Sequence, residues 1–470
     1  MDLFSTSKKN EMKRLCTYII LYASIACTNG ADAQDTLSIE QCREMALKYN
    51  KEMAASAHAT QSAVYTAKSY KGNFLPNIYV SGTGLYSTAN GSSTLSGGYL
   101  PTFLPDATGA LAADGGYAYF PGMSIDYDID AVLVGSIVVE QPIYMGGKIS
   151  AAYKMARIGQ DIAREQETLT ATEVIRNTDE AYAAVVKAGE MCKVATTYRG
   201  LLTELMKTVE SAYKHGMKPK NDVLKVQVRL NESELALRKG ENALRLATMN
   251  LCHCIGRPLN DEISVSAELP AVLMPTDDEL NSLDVSRRPE YAILEKQVDI
   301  AHQQVKLNRS ELLPQIGLSA SYNYLHGIDV NDNTLLDNGN FTALLNVSVP
   351  LFHFGERKNK VNAAKSKLLE TQMEQQDMNE KMLLELAQAA NNLDEAALEL
   401  NIAVRSLEQA EENMRVSRSQ YDAGMETLSD HLEAQTLWQQ AYERRVDAAY
   451  QLYLAYVAYQ KAAGTLYSGD

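Results

Sequence analysis

The chain has 470 residues, with 59 acidic against 44 basic side chains and a formal net charge of −15 at pH 7, which makes nucleic acid a poor partner. Apolar content of 46% and charged content of 22% are ordinary for a folded protein, whereas 26 Tyr against 7 Phe and 1 Trp is not.

Residues 1–33 read as a targeting segment. Lys13 and Arg14 precede an apolar run from Tyr18 to Ala26, and Ala31-Asp32-Ala33 offers an A-x-A cleavage site before Gln34. Met12 gives a more usual signal-peptide start than Met1. The alternative is a lipoprotein acylated at Cys27, against which Ser24 stands as a poor residue three positions earlier. Removing this segment takes away four basic and three acidic side chains and moves the net charge from −15 to −16. No later stretch reaches the roughly 18 apolar residues of a membrane helix. The mature chain is therefore either soluble outside the cytoplasm or enters a membrane as strands.

Leu75-Pro76 introduces a strand at 77–86, paired with another at 132–143, and the Gly-, Ser-, Tyr- and Asp-rich stretch 88–130 reads as the loop between them. Proline is then absent from Ile143 to Lys218, and Ala, Leu, Glu, Lys, Gln and Arg dominate, so 147–214 reads as one helix of about 100 Å at 1.5 Å per residue. A turn at Gly216 leads to a return helix, 222–255. Cys252-His253-Cys254 has the look of a metal site, but no second ligand pair lies nearby; small buried residues is the preferred reading, and neither metal nor cofactor is expected.

The second half repeats this order. After 257–286, Leu313-Pro314 introduces a segment in which Ile316, Leu318, Ala320, Tyr322 and Tyr324 alternate with small or polar residues. Phe341, Ala343, Leu345, Val347 and Val349 alternate likewise, with one lapse at Leu344. Such alternation, with Tyr near the ends, is how a membrane strand is written; the alternative is an edge hairpin on a soluble sheet. Residues 326–340 read as an Asn/Asp-rich loop. Asp329, Asn331 and Asn333 have calcium-loop spacing, but Thr334 stands where the glycine is required. A helix over 356–422 follows, with apolar or small residues at Leu383, Leu386, Ala390, Leu393, Ala397 and Leu400, then a turn at Gly424 and a helix over 429–463. Abundant Ala argues for close helix–helix approach rather than a fat core.

The repetition is in register. Tyr213, Gly216, Met217, Asp222, Leu224 and Gln227 recur 208 residues later as Tyr421, Gly424, Met425, Asp430, Leu432 and Gln435. Pro142 and Gly147 map with the same offset to Pro350 and Gly355, while Leu75, Pro76, Ile78 and Tyr86 map with an offset of 238 to Leu313, Pro314, Ile316 and Tyr324. One unit is used twice about a shared axis. Four strands cannot close a useful barrel, and open edges in lipid leave backbone groups unpaired, so membrane strands would require several chains. The seven histidines (58, 215, 253, 302, 326, 353, 431) form no catalytic spacing, and His353 between Phe352 and Phe354 reads as interfacial packing; no enzyme is expected.

The Leu-Pro strand entries, the Pro142–Gly147 and Pro350–Gly355 exits and the paired turns together resemble the TolC family of outer-membrane efflux channels over essentially the whole mature chain. The resemblance implies a mainly α protein with membrane β. Long helical hairpins form a periplasmic α-barrel, and four strands per chain contribute to an outer-membrane β-barrel of a homotrimer. It implies a first structural repeat over 34–256 (β-hairpin 76–143, tip 213–222), an equatorial linker 257–286 and a second repeat over 287–470 (β-hairpin 314–351, tip 421–430). The expected partners are outer-membrane lipids, a periplasmic adaptor (membrane fusion) protein and an inner-membrane transporter of RND or ABC type, with substrates conducted passively to the exterior. Gly216, Met217, Lys218, Gly424, Met425 and Glu426 are the expected adaptor-binding tips. Asp222, Tyr421, Asp430 and Glu433 are the expected gate, with Asp430 and Glu433 as carboxylate rings that invite block by multivalent cations. The chain departs from well-known relatives at Glu426, where they place a basic residue opposite the aspartate matching Asp222, so either Lys218 or Lys220 supplies the pairing or the closed state is held differently. The reading from another class is an exported soluble coiled-coil protein, structural or adhesive.

Overall fold

The structure, a computed structural model, describes residues 36–276, 284–330 and 333–467, with side chains of 127–130, 328–330 and 333–337 excepted. The expected signal peptide 1–33, with Cys27 and the choice of Met1 or Met12, lies outside the described residues. So do residues 277–283 of the linker and the side chains of the calcium-like spacing.

Seven helices are described: α1 (Ile39–Tyr49), α2 (Lys51–Gly72), α3 (Lys148–Lys214), α4 (Lys220–Cys254), α5 (Pro289–Ser310), α6 (Glu356–Asp422) and α7 (Leu428–Ala462). The strands are β1 (Asn77–Leu95), β2 (Gly98–Pro105), β3 (Leu111–Phe120), β4 (Met123–Met145), β5 (Gln315–Val330) and β6 (Asn333–Ser348). The duplication is metrically strict: α3 and α6 each have 67 residues, α4 and α7 each 35, α2 and α5 each 22. α1 opens on a reciprocal cap in which Ser38 Oγ accepts from Gln41 N and Gln41 Oε1 accepts from Ser38 N.

The chain divides into two compact units. The first comprises residues up to Thr60, Ile162–Glu295 and Gln375 onward; the second, Gln61–Asp161 and Lys296–Glu374. In the first unit, Met382, Leu386, Ala389, Leu393, Ala396 and Ala403 of α6 are buried. Four of these recur every seven residues, the period of a coiled-coil seam. The expected Leu386 and Leu393 are in this line, while Leu383, Ala390 and Ala397 flank it half-buried. Ile39, Cys42, Ile175, Tyr182, Leu251, Ile255, Tyr453 and Val457 make one core cluster; Leu202, Leu205, Val209, Val226, Leu428, Leu432 and Trp438 make another, beside the helix turns. One partly buried ion pair ties α1 to α3: Arg43 Nε and Nη2 donate to the two oxygens of Asp179, at 2.8 and 2.6 Å, and Asp179 is fully buried. Cys252 Sγ and Cys254 Sγ donate to different carbonyls, Asp261 O and Asn177 O, and burial raises both thiol pKa values. They are small core residues directed apart.

In the second unit, four strands form one antiparallel sheet in the order β1-β4-β5-β6. The register aligns like side chains in particular rows. Val80, Ile137, Tyr322 and Phe341 form a row across all four strands, as Ser81, Ser136, Asn323 and Asn340 do on the other face. Ile78, Val80, Ile137, Tyr322, Phe341 and Leu345 are all exposed in the single chain. A sheet whose apolar side chains are left exposed by the described residues of its own chain is built for a non-aqueous surrounding.

Two expectations are corrected here. Residues 88–130 are mostly strand, not loop: β1 continues to Leu95, β4 begins at Met123, and between them β2 and β3 form a separate two-stranded sheet. Residues 326–340 are likewise strand up to Val330 and again from Asn333. In both places the partner strand supplies the order that small and polar residues do not announce locally. The chain therefore has six described strands, four of them in the main sheet.

Candidate functional site at the helix tips

α3 and α6 end alike. Gly216 and Gly424 both adopt φ +74°, the left-handed conformation in which a residue other than glycine is strained. Gly216 N donates to Tyr213 O and Met217 N to Ala212 O; Gly424 N donates to Tyr421 O and Met425 N to Gln420 O. These paired bonds close each helix by satisfying its last carbonyls. Met217 and Met425 follow immediately and are exposed. The return helices begin differently: Pro219 caps α4 without a side-chain bond, whereas Thr427 Oγ1 accepts from Asp430 N and donates to Asp430 Oδ2 at 2.7 Å.

The two turns belong to the same compact unit and touch. Lys218 Nζ lies 5.1 Å from the centre of the Tyr421 ring, and Lys225 Nζ donates to Ser429 Oγ at 3.0 Å. Burial, and after it the charges of Asp222 and Asp422, raise the Tyr421 pKa. The tip residue Lys218 and Asp222, expected at the gate, thus both lie near Tyr421. Lys218 meets the second turn through an aromatic face rather than a carboxylate, while Lys220 is exposed. Glu426 is half-buried, and its Oε2 has no hydrogen-bond partner among the described residues. Asp430 and Glu433 both lie on the exposed face of α7, whereas His431, Leu432, Ala434 and Gln435 between and after them are buried.

Sequence reasoning missed the group behind this face. His431 is buried, its ring stacked on Tyr421 at 5.0 Å and 7°. Its Nδ1 is 3.0 Å from Ser417 Oγ, and its Nε2 accepts from Gln435 Nε2 at 3.0 Å. The available signal was local: His431 and Gln435 are four apart, on the face that carries Leu428 and Leu432. Beside them a cleft of about 290 Å³ is lined by Glu204 and Thr208 of α3, Arg415, Arg418, Tyr421 and Asp422 of α6, and His431 and Gln435 of α7.

Burial lowers the His431 pKa, opposed by the charges of Glu426 and Asp422 and helped by Arg418. A depressed imidazole pKa contributes stability above the unfolded value of about 6.5 and loses it as pH falls toward the folded one. The only tryptophan of the chain, Trp438, belongs to the adjoining cluster and reports on it. Its emission shifts to the red as pH is lowered from about 7 to 5, and His431→Val removes that shift. An identical pH profile in the variant would place the sensitivity elsewhere.

The sequence profile of the family described as outer membrane efflux protein matches residues 42–257 and 282–465. The chain belongs to that family. Its members are outer-membrane channels rather than enzymes, so the exposed apolar sheet face has a membrane to meet, and the protein serves export across the outer membrane. It is 25% identical over 376 residues to the pyoverdine export outer membrane protein OpmQ of Pseudomonas aeruginosa, covering 78% of this chain and 77% of that one. It is 26% identical over 314 residues to the outer membrane protein TolC of Vibrio cholerae, covering 66% and 71%. The crystal structure of the Campylobacter jejuni CmeC outer membrane channel has the same fold, with a TM-score of 0.70 at 18% identity, over 91% of this chain and 85% of that one.

Proposed function

We propose that the chain forms a homotrimeric exit duct. It would receive substrates from a periplasmic adaptor and an inner-membrane transporter of RND or ABC type and release them passively outside the cell. The observation that carries this reading is the four-stranded sheet. One face carries Val80, Ile137, Tyr322 and Phe341, the other Ser, Thr and Asn beside Tyr, Val and Leu, and both edges, β1 and β6, lack a strand partner among the described residues. In lipid every edge must be paired, and copies of the chain joined β1 to β6 do so. Three copies give twelve strands, with the Ser/Thr/Asn face lining a wet lumen. Export of pyoverdine is what one relative's name states; a lumen of small polar side chains is permissive, and selection of cargo falls to the transporter. The proposed organisation keeps residues 1–33 as a removed signal peptide, 34–256 and 287–470 as the repeats, and 257–286 as the linker between them.

The tips are the proposed contact for the adaptor, through Gly216, Met217 and Lys218 and through Gly424, Met425 and Glu426. Exposed methionines offer adaptable apolar contact, and the bare glycine backbone allows close approach. The proposed constriction comprises Asp222, Tyr421, Asp430 and Glu433, and the exposure of both acidic residues on one face of α7 supports it. Purified protein in a planar bilayer should carry a small cation-selective current that lanthanide added at the tip side blocks. Asp430→Ala with Glu433→Ala should weaken that block at least roughly tenfold, the equivalent of about 1.4 kcal/mol. Block of unchanged strength would move the constriction elsewhere. A protein that stays soluble without detergent and passes no current would instead fit an exported coiled-coil role.

A further inference from the structure

The β2–β3 hairpin is an element the first half of the chain has and the second lacks. β5 and β6 are joined across residues 331–332, whereas residues 96–122 stand between β1 and β4. It grows from the end of the strands away from the helices, and its base is pinched. A Cβ on Gly97 would lie 2.7 Å from Gly122 N, and one on Gly122 would lie 2.9 Å from Gly97 N. Only two glycines allow the backbones to approach this closely, and at this point the ladder of the main sheet gives way to that of the separate sheet.

Both faces of the hairpin are apolar. The pairings Tyr99 with Tyr119 and Pro101 with Tyr117 place three tyrosines on one face, where Phe103 also lies; Leu100 and Leu104 occupy the other. All six large side chains are exposed. The lone charge within its strands, Asp114, is held internally: Thr102 Oγ1 donates to it at 2.5 Å and Gly116 N at 2.9 Å. A two-stranded hairpin is marginal by itself in water, and this one exposes apolar surface on both sides.

The topology indicates what covers it. β1 is an edge strand of the main sheet, so in the trimeric barrel it lies against the next copy, and the hairpin continuing from β1 and β4 rises beside that seam. A closed ring of three lets each copy set one face against each of its two neighbours, which is how a two-faced apolar element is buried by copies of itself. The scarcity of charge removes the like-charge repulsion that such an approach would otherwise meet. We propose that the three β2–β3 hairpins pack on one another above the barrel mouth, forming an apolar cap at the end of the strands away from the helices.

This inference rests on the trimeric reading, and the test separates the two. Tyr117→p-benzoylphenylalanine and, separately, Leu104→p-benzoylphenylalanine are photolysed in the full-length protein in outer membranes. The extracted protein is weighed by native mass spectrometry and the cross-linked peptides are sequenced. The expected result is a trimer in which both positions link to residues 98–120 of another copy. A trimer whose cross-links run to lipid, to another protein or nowhere overturns the cap and leaves the duct intact. A monomer overturns the trimeric reading, and the cap with it.

Discussion

Gly256→Val lowers the unfolding midpoint severely, whereas Gly216→Ala at a glycine of almost the same dihedral angle lowers it slightly. Gly256 closes α4 at φ +75° and Gly216 closes α3 at φ +74°. For either position a side chain costs about 1–2 kcal/mol for the left-handed backbone alone. The surroundings then separate them. At Gly216 nothing lies within 4 Å of an added Cβ; at Gly256 it would meet Tyr49 O at 2.5 Å and Tyr49 C at 2.8 Å. Tyr49 is the last residue of α1, and the following Asn50 is itself buried, donating from Nδ2 to Cys254 O at 2.9 Å and accepting from Glu52 N at 2.7 Å. Backbone held from both sides cannot retreat. Strain and collision together exceed about 3 kcal/mol, a large part of the roughly 5–15 kcal/mol that holds a domain. Thermal unfolding followed by circular dichroism checks this; equal midpoints for the two variants would refute the distinction.

Arg43→Met destabilises the protein by about 3–5 kcal/mol, the usual consequence of stranding a buried charge. Burial raises the Asp179 pKa, and the two bonds from Arg43 oppose that rise. With Arg43 gone, the folded-state pKa of Asp179 climbs further above its unfolded value of about 3.9. A raised carboxyl pKa means the folded state holds the proton more tightly. The variant is therefore least impaired near or below the unfolded value and loses stability as pH rises toward the folded one. Arg43→Met combined with Asp179→Leu, which removes both charges, recovers most of the loss at neutral pH. Denaturant titrations at several pH values measure all three effects. A single variant whose deficit does not change with pH, or a double variant no better than the single, would show that Asp179 is not the stranded group.

The long helices were legible because their signals are local. Absence of proline, runs of good helix formers and matched glycines place the ends of α3, α4, α6 and α7 within two residues of where they occur. The inner halves of the strands were legible for the same reason: Ile316 to Tyr324 alternates cleanly. The outer halves were not. Gly91, Ser92 and Ser93 look like loop, yet they are paired with Tyr127, Asp126 and Ile125; their order is set across the ladder. Arg43 and Asp179 are 136 positions apart, and no spacing rule joins them. At the tips, the glycines, methionines and exposed acids could be placed from the repeat alone. His431 could not be assigned a role that way, because the corresponding position in the first repeat is Val223, and comparing the halves hides what only one of them has.

The equal lengths of the paired helices restrict how such a gene can change. Deleting one residue from α3 alone would turn everything beyond it by about 100° and draw it back about 1.5 Å, while α6 stayed in phase. Substitution is comparatively free: Lys218 faces Glu426 across the duplication and both halves still fold. Drift in length is not free. Helices seamed every seven residues, as at Met382, Ala389, Ala396 and Ala403, accept whole seam repeats inserted into both halves together, or nothing. The two halves have been able to part in chemistry while remaining bound to a common ruler.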